Sequence, residues 1–373
     1  MHHQTRRQFL GAAALAGVAT AYGPLSLSDE TVAQAVAQDA GVSRDDVDPT
    51  FFMGKIVALG TNDEVSLVNL DGALQQLKLL PSSTWWKEGV WNQSPVAVGD
   101  CVFGGGEHLL NGGMLVDELW ANIMNRSGEV LDVNGLTLSL LNEAGVREDF
   151  RLTETTVVEG PLDTERVGDF SSITSGQDVL VIGFGDPATG ALTATRIVAF
   201  PPAGTAAPEG PLVLTADESD VLDKAGNWVA VTRGLASFFC CNPHPADSFC
   251  GWFCGRTNDP SCASLGCRSD NNHIAWPKLK NGCTAGCVSC CLDNSFPRFA
   301  CDKKLFLFNN CTYESKYGHV RDCGPNPKCA PNDCCCSGHK SIKRKLDLTP
   351  CLFKGLGGKF DRGFIHVLVA EQQ

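Results

Sequence analysis

The cysteines of this 373-residue chain are concentrated towards its C-terminal end. Eighteen of the nineteen lie between Cys240 and Cys351, and the remaining one is Cys101. About one residue in six of that segment is a cysteine, a density typical of disulfide scaffolds. An even number allows nine bridges, whose pairing the sequence does not give. The cysteines predicted to form disulfides are Cys240, Cys241, Cys250, Cys254, Cys262, Cys267, Cys283, Cys287, Cys290, Cys291, Cys301, Cys311, Cys323, Cys329, Cys334, Cys335, Cys336 and Cys351.

Metal ligation is the main alternative use of these cysteines, and dithiol redox chemistry is another. Cys283, Cys287 and Cys290 have a C-x3-C-x2-C spacing that is close to iron–sulfur ligation. One cluster or zinc ion takes at most four thiolates, so two such sites would leave ten cysteines without a role. Neighbouring side chains in a strand also diverge, so the triplet 334–336 suits several separate partners. We therefore expect structural disulfides, each contributing about 2–4 kcal/mol, and no metal ion or other cofactor.

The N-terminus predicts export. Arg6-Arg7 precede Phe9-Leu10 and a short Ala/Gly-rich run, an arrangement that resembles a twin-arginine signal. That run is too short and too weakly apolar to span a membrane comfortably, and Ala35–Ala37 supplies a cleavage site, with residues 19–21 as the alternative. We expect a signal peptide over residues 1–37, a twin-arginine translocase as partner during export, and no transmembrane anchor. The mature protein is then periplasmic, extracellular or associated with the cell wall, where disulfides persist.

Charge is divided unequally along the chain, whose net charge is -12. From Cys240 onward there are 17 lysine and arginine residues against 11 acidic residues, whereas the preceding part has 13 against 31. An acidic protein is not expected to bind nucleic acid. We interpret the acidic part as a soluble spacer or docking module. The basic run His339–Lys345 is either a solvated loop or a contact for anionic wall polymers.

Residues 51–200 contain a diverged internal repeat, with copies at 51–123 and 124–200. Each copy consists of short alternating or apolar runs separated by Asn-Gly, Asp-Gly or Gly-Gly turn signals, without a sustained helical period. This pattern predicts two small antiparallel β-barrels like the oligonucleotide/oligosaccharide-binding (OB) fold. Cys101 is expected to be a small buried side chain. Trp85-Trp86 are expected to pack at a strand end, with a stacking platform for sugars as the alternative. Residues 201–232 are predicted to be a linker, whose second part could instead be a hairpin.

Residues 233–373 keep a skeleton of β-type segments once the cysteines are set aside. In order, these are GLASFF (Gly234–Phe239), HIAWP (His273–Pro277), LFLFNNCTYESKYGHVRDCGPN (Leu305–Asn326), and LDLTPCLF followed by GFIHVLV (Leu346–Val369). This skeleton resembles the double-psi β-barrel of barwin, the expansins and rare lipoprotein A. The expected fold class is therefore all-β, with two small OB-like antiparallel β-barrels followed by a disulfide-rich double-psi β-barrel.

The resemblance implies a role in handling wall polysaccharides. Cleavage of a glycosidic bond needs a carboxylic acid and, for hydrolysis, a second carboxylate. Asp322 and Asp347 match aspartates of the expansin-like pattern, and His273 matches the histidine of the H-x-x-L-P segment of rare lipoprotein A, so these three are the candidate catalytic residues. Each has a structural alternative: a loop hydrogen-bond acceptor for Asp322, a helix N-cap for Asp347, and a structural histidine for His273.

The chain also departs from these families. Gly324 stands where expansins have an aromatic residue, and Cys262 and Leu265 stand where rare lipoprotein A enzymes have acidic residues. Binding is therefore expected more strongly than cleavage. The leading hypothesis is an exported wall-associated protein that binds peptidoglycan or another wall glycan. Remodelling of the bound glycan is a further activity under this hypothesis. The alternatives are a lytic transglycosylase or distant glycosidase and a non-catalytic interaction or inhibitor module. Aromatic candidates for stacking on sugars are Trp252, Trp276, Tyr313 and Tyr317.

Overall fold

The computed structural model describes residues 48–110, 112–142, 145–160, 165–200, 212–241, 256–257, 267–276, 278–279, 299–322, 335–336 and 344–372. The fold is all-β, as the sequence predicts, and the helices among these residues are two short ones. Several predictions on the sequence lie outside the described residues: the signal peptide over 1–37, the first part of the linker, residues 339–343 of the basic run, and Trp252.

The part before residue 201 contains two units of β-strands. The first unit has β1 (Phe51–Leu59), β2 (Glu64–Asn69), β3 (Leu74–Lys87), β4 (Val90–Trp91), β5 (Cys101–His108) and β6 (Met114–Ala121). The second has β7 (Ile123–Asn134), β8 (Thr137–Asn142), β9 (Arg147–Arg151), β10 (Val157–Glu159), β11 (Glu165–Val167), β12 (Asp178–Gly185) and β13 (Leu192–Ala199).

The two units have the same strand pairing. In the first, β1 pairs with β2 and β5, β6 pairs with β5, and the ring closes through β2–β3 and a parallel β3–β6 pairing. In the second, β7 pairs with β8 and β12, β13 pairs with β12, and closure comes from β8–β9 and a parallel β9–β13 pairing. The internal repeat is therefore present as two five-stranded rings. Each contains one parallel pairing, which the alternation pattern alone does not reveal.

The C-terminal unit follows the linker and contains both helices. Its elements are α1 (Ala216–Ala225), β14 (Trp228–Phe238), β15 (Cys240–Cys241), β16 (Arg256–Thr257), β17 (His273–Ala275), β18 (Lys278–Leu279), β19 (Lys304–Asn309), β20 (Ser315–Asp322), β21 (Cys335–Cys336), β22 (Arg344–Leu348), α2 (Pro350–Gly355) and β23 (Phe364–Gln372). Six of these strands form a closed barrel in the order β14–β22–β17–β20–β19–β23.

Pairing in this barrel has an internal symmetry. The β14–β22 and β17–β20 pairs are parallel, and the other four pairs are antiparallel. Exchanging β14 with β20, β17 with β22 and β19 with β23 converts every pair into another pair of the same sense. The strand pairing is thus unchanged when the first three barrel strands are exchanged with the last three.

The second part of the predicted linker is a helix and not a hairpin. Thr215 begins α1 with a capping box, because its hydroxyl accepts a hydrogen bond from the Glu218 backbone N while the Glu218 carboxylate accepts one from the Thr215 backbone N. Gly226, at a φ of 104°, ends the helix. Strand β14 then begins at Trp228, before the predicted domain boundary at residue 233.

One hydrophobic core joins all three units. Phe360, in the turn before β23, is fully buried, and its ring lies 5.0 Å from Phe103 and 4.9 Å from Trp120 of the first unit. Gly363, at a φ of +82°, packs so closely on the second unit that an added Cβ would lie 2.2 Å from Cδ1 of Ile182. The acidic part of the chain is therefore packed against the C-terminal barrel, and its interpretation as a spacer is wrong.

The ion pairs across this contact all have their acidic partner on the same side. In each of those between described residues, the carboxylate belongs to the first two units and the cation to the C-terminal unit. The pairs are Asp48–Lys316, Asp71–Arg268, Glu118–Lys354, Glu118–Lys359 and Glu165–Arg362. Part of the charge asymmetry seen in the sequence thus serves contacts between the two parts of the chain.

A disulfide also connects the two parts. Cys101, at the start of β5, is disulfide-bonded, and all other cysteines of the chain lie between Cys240 and Cys351. Its partner therefore belongs to the cysteine-rich part. Cys101 is buried, as expected, with 2% of the residue exposed. Its disulfide excludes nine bridges confined to the cysteine-rich part.

Candidate functional site

The two candidate aspartates lie on either side of the short strand β17. Ala275 of β17 is opposite Asp322 of β20 in the parallel pairing and opposite Asp347 of β22 in the antiparallel pairing. Residues directly opposite each other in a ladder project from the same side of a sheet. Leu346 and Leu348 belong to the barrel core, so Asp347 between them is on the outer side. The β17–β20 register shifts between Ile274 and Ala275, directly before Asp322. Two strand spacings separate their backbones, a distance of about 9.5 Å.

Both aspartates are buried, with 3% of each residue exposed. Asp347 accepts a hydrogen bond from the hydroxyl of Ser237, which lies opposite it in the β14–β22 pairing. Asp347 is not a helix cap, because the N-cap of α2 is Thr349, and Pro350 begins the helix. The structure therefore places the two aspartates on the strands that flank β17, and each is almost inaccessible to solvent.

His273 lies on the same outer side, two positions before Ala275 in β17. It is 1% exposed, and its Nδ1 accepts a hydrogen bond from the Arg268 backbone N at 3.0 Å. Burial, followed by the charges of Arg321, His319 and Arg268, lowers the pKa of His273 to about 3. The ring is thus neutral at physiological pH, with its proton on Nε2. A group with this pKa is poorly matched to general acid–base catalysis near neutral pH.

The segment before β17 is held by polar contacts. The guanidinium of Arg268 contacts Asp270 and also forms two bonds to Asp71 of the first unit, at 2.7 and 3.0 Å. Burial acts to lower the pKa of Arg268, but the hydrogen bonds and charges of Asp270 and Asp71 together outweigh it, and the pKa is raised. Thr349 donates to the backbone O of Asn271 and accepts from the His273 backbone N at 3.1 Å. The position of His273 is therefore fixed from both sides.

The cysteines of this part occur both in disulfides and as free thiols. Cys241 and Cys267 form a disulfide that packs with Phe239 and Ala275. Cys240 and Cys301 each belong to a disulfide as well. Cys311 is an exposed free thiol and Cys351 a buried one, so the prediction that they form disulfides is wrong. Burial raises the pKa of Cys351, whose α2 position faces the barrel core. The remaining predicted bridges involve residues outside the described ranges, or strand β21, whose backbone alone is described: Cys250, Cys254, Cys262, Cys283, Cys287, Cys290, Cys291, Cys323, Cys329, Cys334, Cys335 and Cys336.

The aromatic candidates divide into core and surface residues. Trp276 is fully buried, and its ring lies 4.9 Å from Phe299, so it cannot present a face to a sugar. Tyr317 is 40% exposed, on the outer side of β20. Its ring centroid lies 5.3 Å from that of Trp228, and Nζ of Lys304 lies 4.6 Å from it. We call Trp228, Tyr317 and Lys304 the aromatic platform.

Sequence reasoning missed Trp228 because its segment was assigned to the linker. The alternating run Trp228–Thr232 directly after Asn227 was the signal that a strand begins there. Tyr313 is 63% exposed and donates a hydrogen bond from its hydroxyl to Asp217 of α1 at 3.2 Å. This contact links the β19–β20 turn to the helix, and the backbone of Tyr313 has a φ of 61° in that turn.

No family model matches the sequence, and no curated protein shows significant similarity to it. None of the helices in the described part of the chain has the length and apolar character needed to cross a membrane.

Proposed function

We propose that this is an exported, wall-associated protein whose C-terminal barrel is of the double-psi type and binds polysaccharide without cleaving it. The two parallel strand pairs, which the symmetry of the strand pairing interchanges, support the resemblance to barwin, the expansins and rare lipoprotein A. The observation that carries the binding proposal is the aromatic platform, in which Tyr317 and Lys304 are exposed and Trp228 is half-buried beside them.

The platform has the chemistry that a sugar ring requires. The apolar face of a pyranose packs on an aromatic ring, while hydroxyl groups at its edge need polar partners. Tyr317 supplies both a ring and a phenolic hydroxyl, and Lys304 supplies a cation beside the ring. Phe306, whose ring lies 5.4 Å from Tyr317, supports the platform from the core side.

The carboxyl groups argue for binding over cleavage. A glycosidase needs its acid and its second carboxylate in contact with the substrate. Asp322 and Asp347 are each only 3% exposed, and Asp347 is engaged by Ser237. His273 is buried and neutral, so it does not replace either of them.

Retention on insoluble glycans tests this proposal. The full mature chain is incubated with purified peptidoglycan, cellulose and chitin at low salt, and bound protein is measured. Tyr317→Ala and Trp228→Ala should each weaken retention about tenfold, equivalent to about 1.4 kcal/mol. The control is Val229→Ala, an exposed neighbour of Trp228 outside the platform. The proposal fails if the wild-type chain is retained on none of the three glycans, or if the platform variants bind as well as the control.

Glycan cleavage is the second candidate, favoured by the common position of Asp322 and Asp347 opposite Ala275. Release of soluble fragments from peptidoglycan strands, lost in Asp347→Asn, would support it. Because Asp347 also bonds Ser237, the folded state of that variant is checked by circular dichroism. Absence of any turnover by the wild-type chain leaves binding as the function.

A further inference from the structure

Cys241, Cys267 and His273 form a compact cluster of possible metal ligands on the outer side of β17. Each offers one ligand atom, and the three atoms all lie within 4.8 Å of one another. Cys241 and His273 are buried, and Cys267 is partly exposed. The two sulfurs are joined in a disulfide in this structure. The same three side chains are therefore available as ligands once that bond is reduced.

The hydrogen bond of the imidazole identifies the ring nitrogen that carries the lone pair. Nδ1 of His273 carries the lone pair, because it accepts the hydrogen bond from the Arg268 backbone N at 3.0 Å. Arg268 directly follows Cys267, so this bond keeps the lone pair beside the Cys267 segment. Nε2, the other ring nitrogen, is buried and has no hydrogen-bond partner among the described residues. A metal ion would take the Nδ1 lone pair in place of one neutral hydrogen bond.

The distances also suit a zinc-like ion. Thiolate and imidazole ligands lie about 2.3 and 2.0–2.1 Å from zinc, so the two sulfurs of a tetrahedral site are about 3.8 Å apart. The Cα atoms of Cys241 and Cys267 are 5.4 Å apart, which permits this separation by rotation of the side chains. The partial exposure of Cys267 leaves a route by which water can reach the fourth position.

We propose that Cys241, Cys267 and His273 form a redox-controlled site for a zinc-like divalent cation, which is bound when the disulfide is reduced and released when it re-forms. Reduction by a dithiol converts the protein disulfide into two thiols and the dithiol into its own disulfide. The cation then replaces the two thiol protons, which go to solvent, and is held by two thiolates and the neutral Nδ1. Oxidation by a disulfide reverses both steps and expels the ion.

Zinc stoichiometry of the full mature chain tests the site. The protein is equilibrated anaerobically with excess dithiol and zinc, dialysed, and analysed for bound metal. Other reduced cysteines also bind zinc, so the readout is a difference between variants that keep every cysteine. His273→Gln should bind one equivalent less than the wild type, and His273→Cys should regain it. The matched control is His319→Gln, which removes the histidine opposite His273 in the β17–β20 pairing and should bind as much as the wild type.

A second measurement needs no variant and holds even if His273→Gln does not fold. Alkylation of Cys241 and Cys267 in the reduced wild-type chain, followed by peptide mass spectrometry, should be slowed at least tenfold by zinc. Addition of an oxidised dithiol should release the ion and restore the Cys241–Cys267 disulfide. Equal zinc content in the wild type and a folded His273→Gln variant would overturn the proposal, as would alkylation rates at both cysteines that zinc does not change.

Discussion

Among the side chains between the first unit and the C-terminal barrel, Phe360 should contribute most to the stability of their contact. It is fully buried, and its ring contacts two aromatic residues on each side of the contact. On the side of the first unit these are Phe103 and Trp120, at 5.0 and 4.9 Å. On the barrel side they are Phe238 and Phe353, at 4.9 and 5.3 Å.

Truncation to alanine removes contacts from both partners at once. Phe→Ala in a core usually costs about 3–5 kcal/mol, and favourable aromatic pairs add about 0.5–1.5 kcal/mol each beyond the area buried. Four such pairs place Phe360→Ala at the upper end of the range, about 5 kcal/mol. Since a domain is commonly stable by about 5–15 kcal/mol, this loss should separate the unfolding of the barrel from that of the first unit.

Urea unfolding followed by tryptophan fluorescence and circular dichroism measures the effect. The matched control is Phe150→Ala, which removes an equally buried ring from the separate core of the second unit. We expect the transitions seen by the two probes to diverge in Phe360→Ala and to stay coincident in the wild type. A decrease of less than about 1 kcal/mol in the free energy of unfolding of Phe360→Ala would refute the reasoning, because removal of a fully buried ring from a tightly packed core costs more than that.

Three further predictions concern charge, pH and the crosslink. Glu118→Gln should destabilise the chain by about 1 kcal/mol in urea titrations at low salt, since Glu118 pairs with Lys354 and the more exposed Lys359. Added salt should reduce this difference in stability. The control Glu107→Gln, at an exposed position, should show neither the loss of stability nor its salt dependence. Because the pKa of His273 is lowered to about 3, the unfolded chain binds a proton that the folded chain does not between that pH and about 6.5. Stability should therefore fall as pH drops through this window, by up to about 1.4 kcal/mol per pH unit from this group, and a folded His273→Gln variant should show a shallower dependence. The disulfide of Cys101 is tested by cleavage at a protease site inserted between residues 204 and 205. In denaturant without reductant, the two wild-type fragments should stay together and those of Cys101→Ala should separate. Separation of the wild-type fragments would contradict the crosslink.

Local sequence signals predicted the strands and their repetition well. Turn dipeptides and alternation depend on neighbouring residues, so the two front units could be recognised as repeats before their pairing was known. The segment that contains Ser237 and the one that contains Asp347 were both recognised as strands, and they pair in the barrel. The helix α1 was missed although Thr215 and Glu218 form a capping box, because the neighbouring Pro/Gly/Ala run dominated the interpretation.

The sequence by itself determined the all-β class, the density of cysteines and the division of charge, since these are properties of composition and local pattern. Only the tertiary structure decided what each side chain can reach. Trp276 is buried in the core while Tyr317 is at the surface, and Asp322 and Asp347 flank β17, each only 3% exposed. Cys101 was drawn into a bond with the distant cysteine-rich part. The physical reason is that burial and pairing depend on residues brought from far along the chain, which local pattern does not encode.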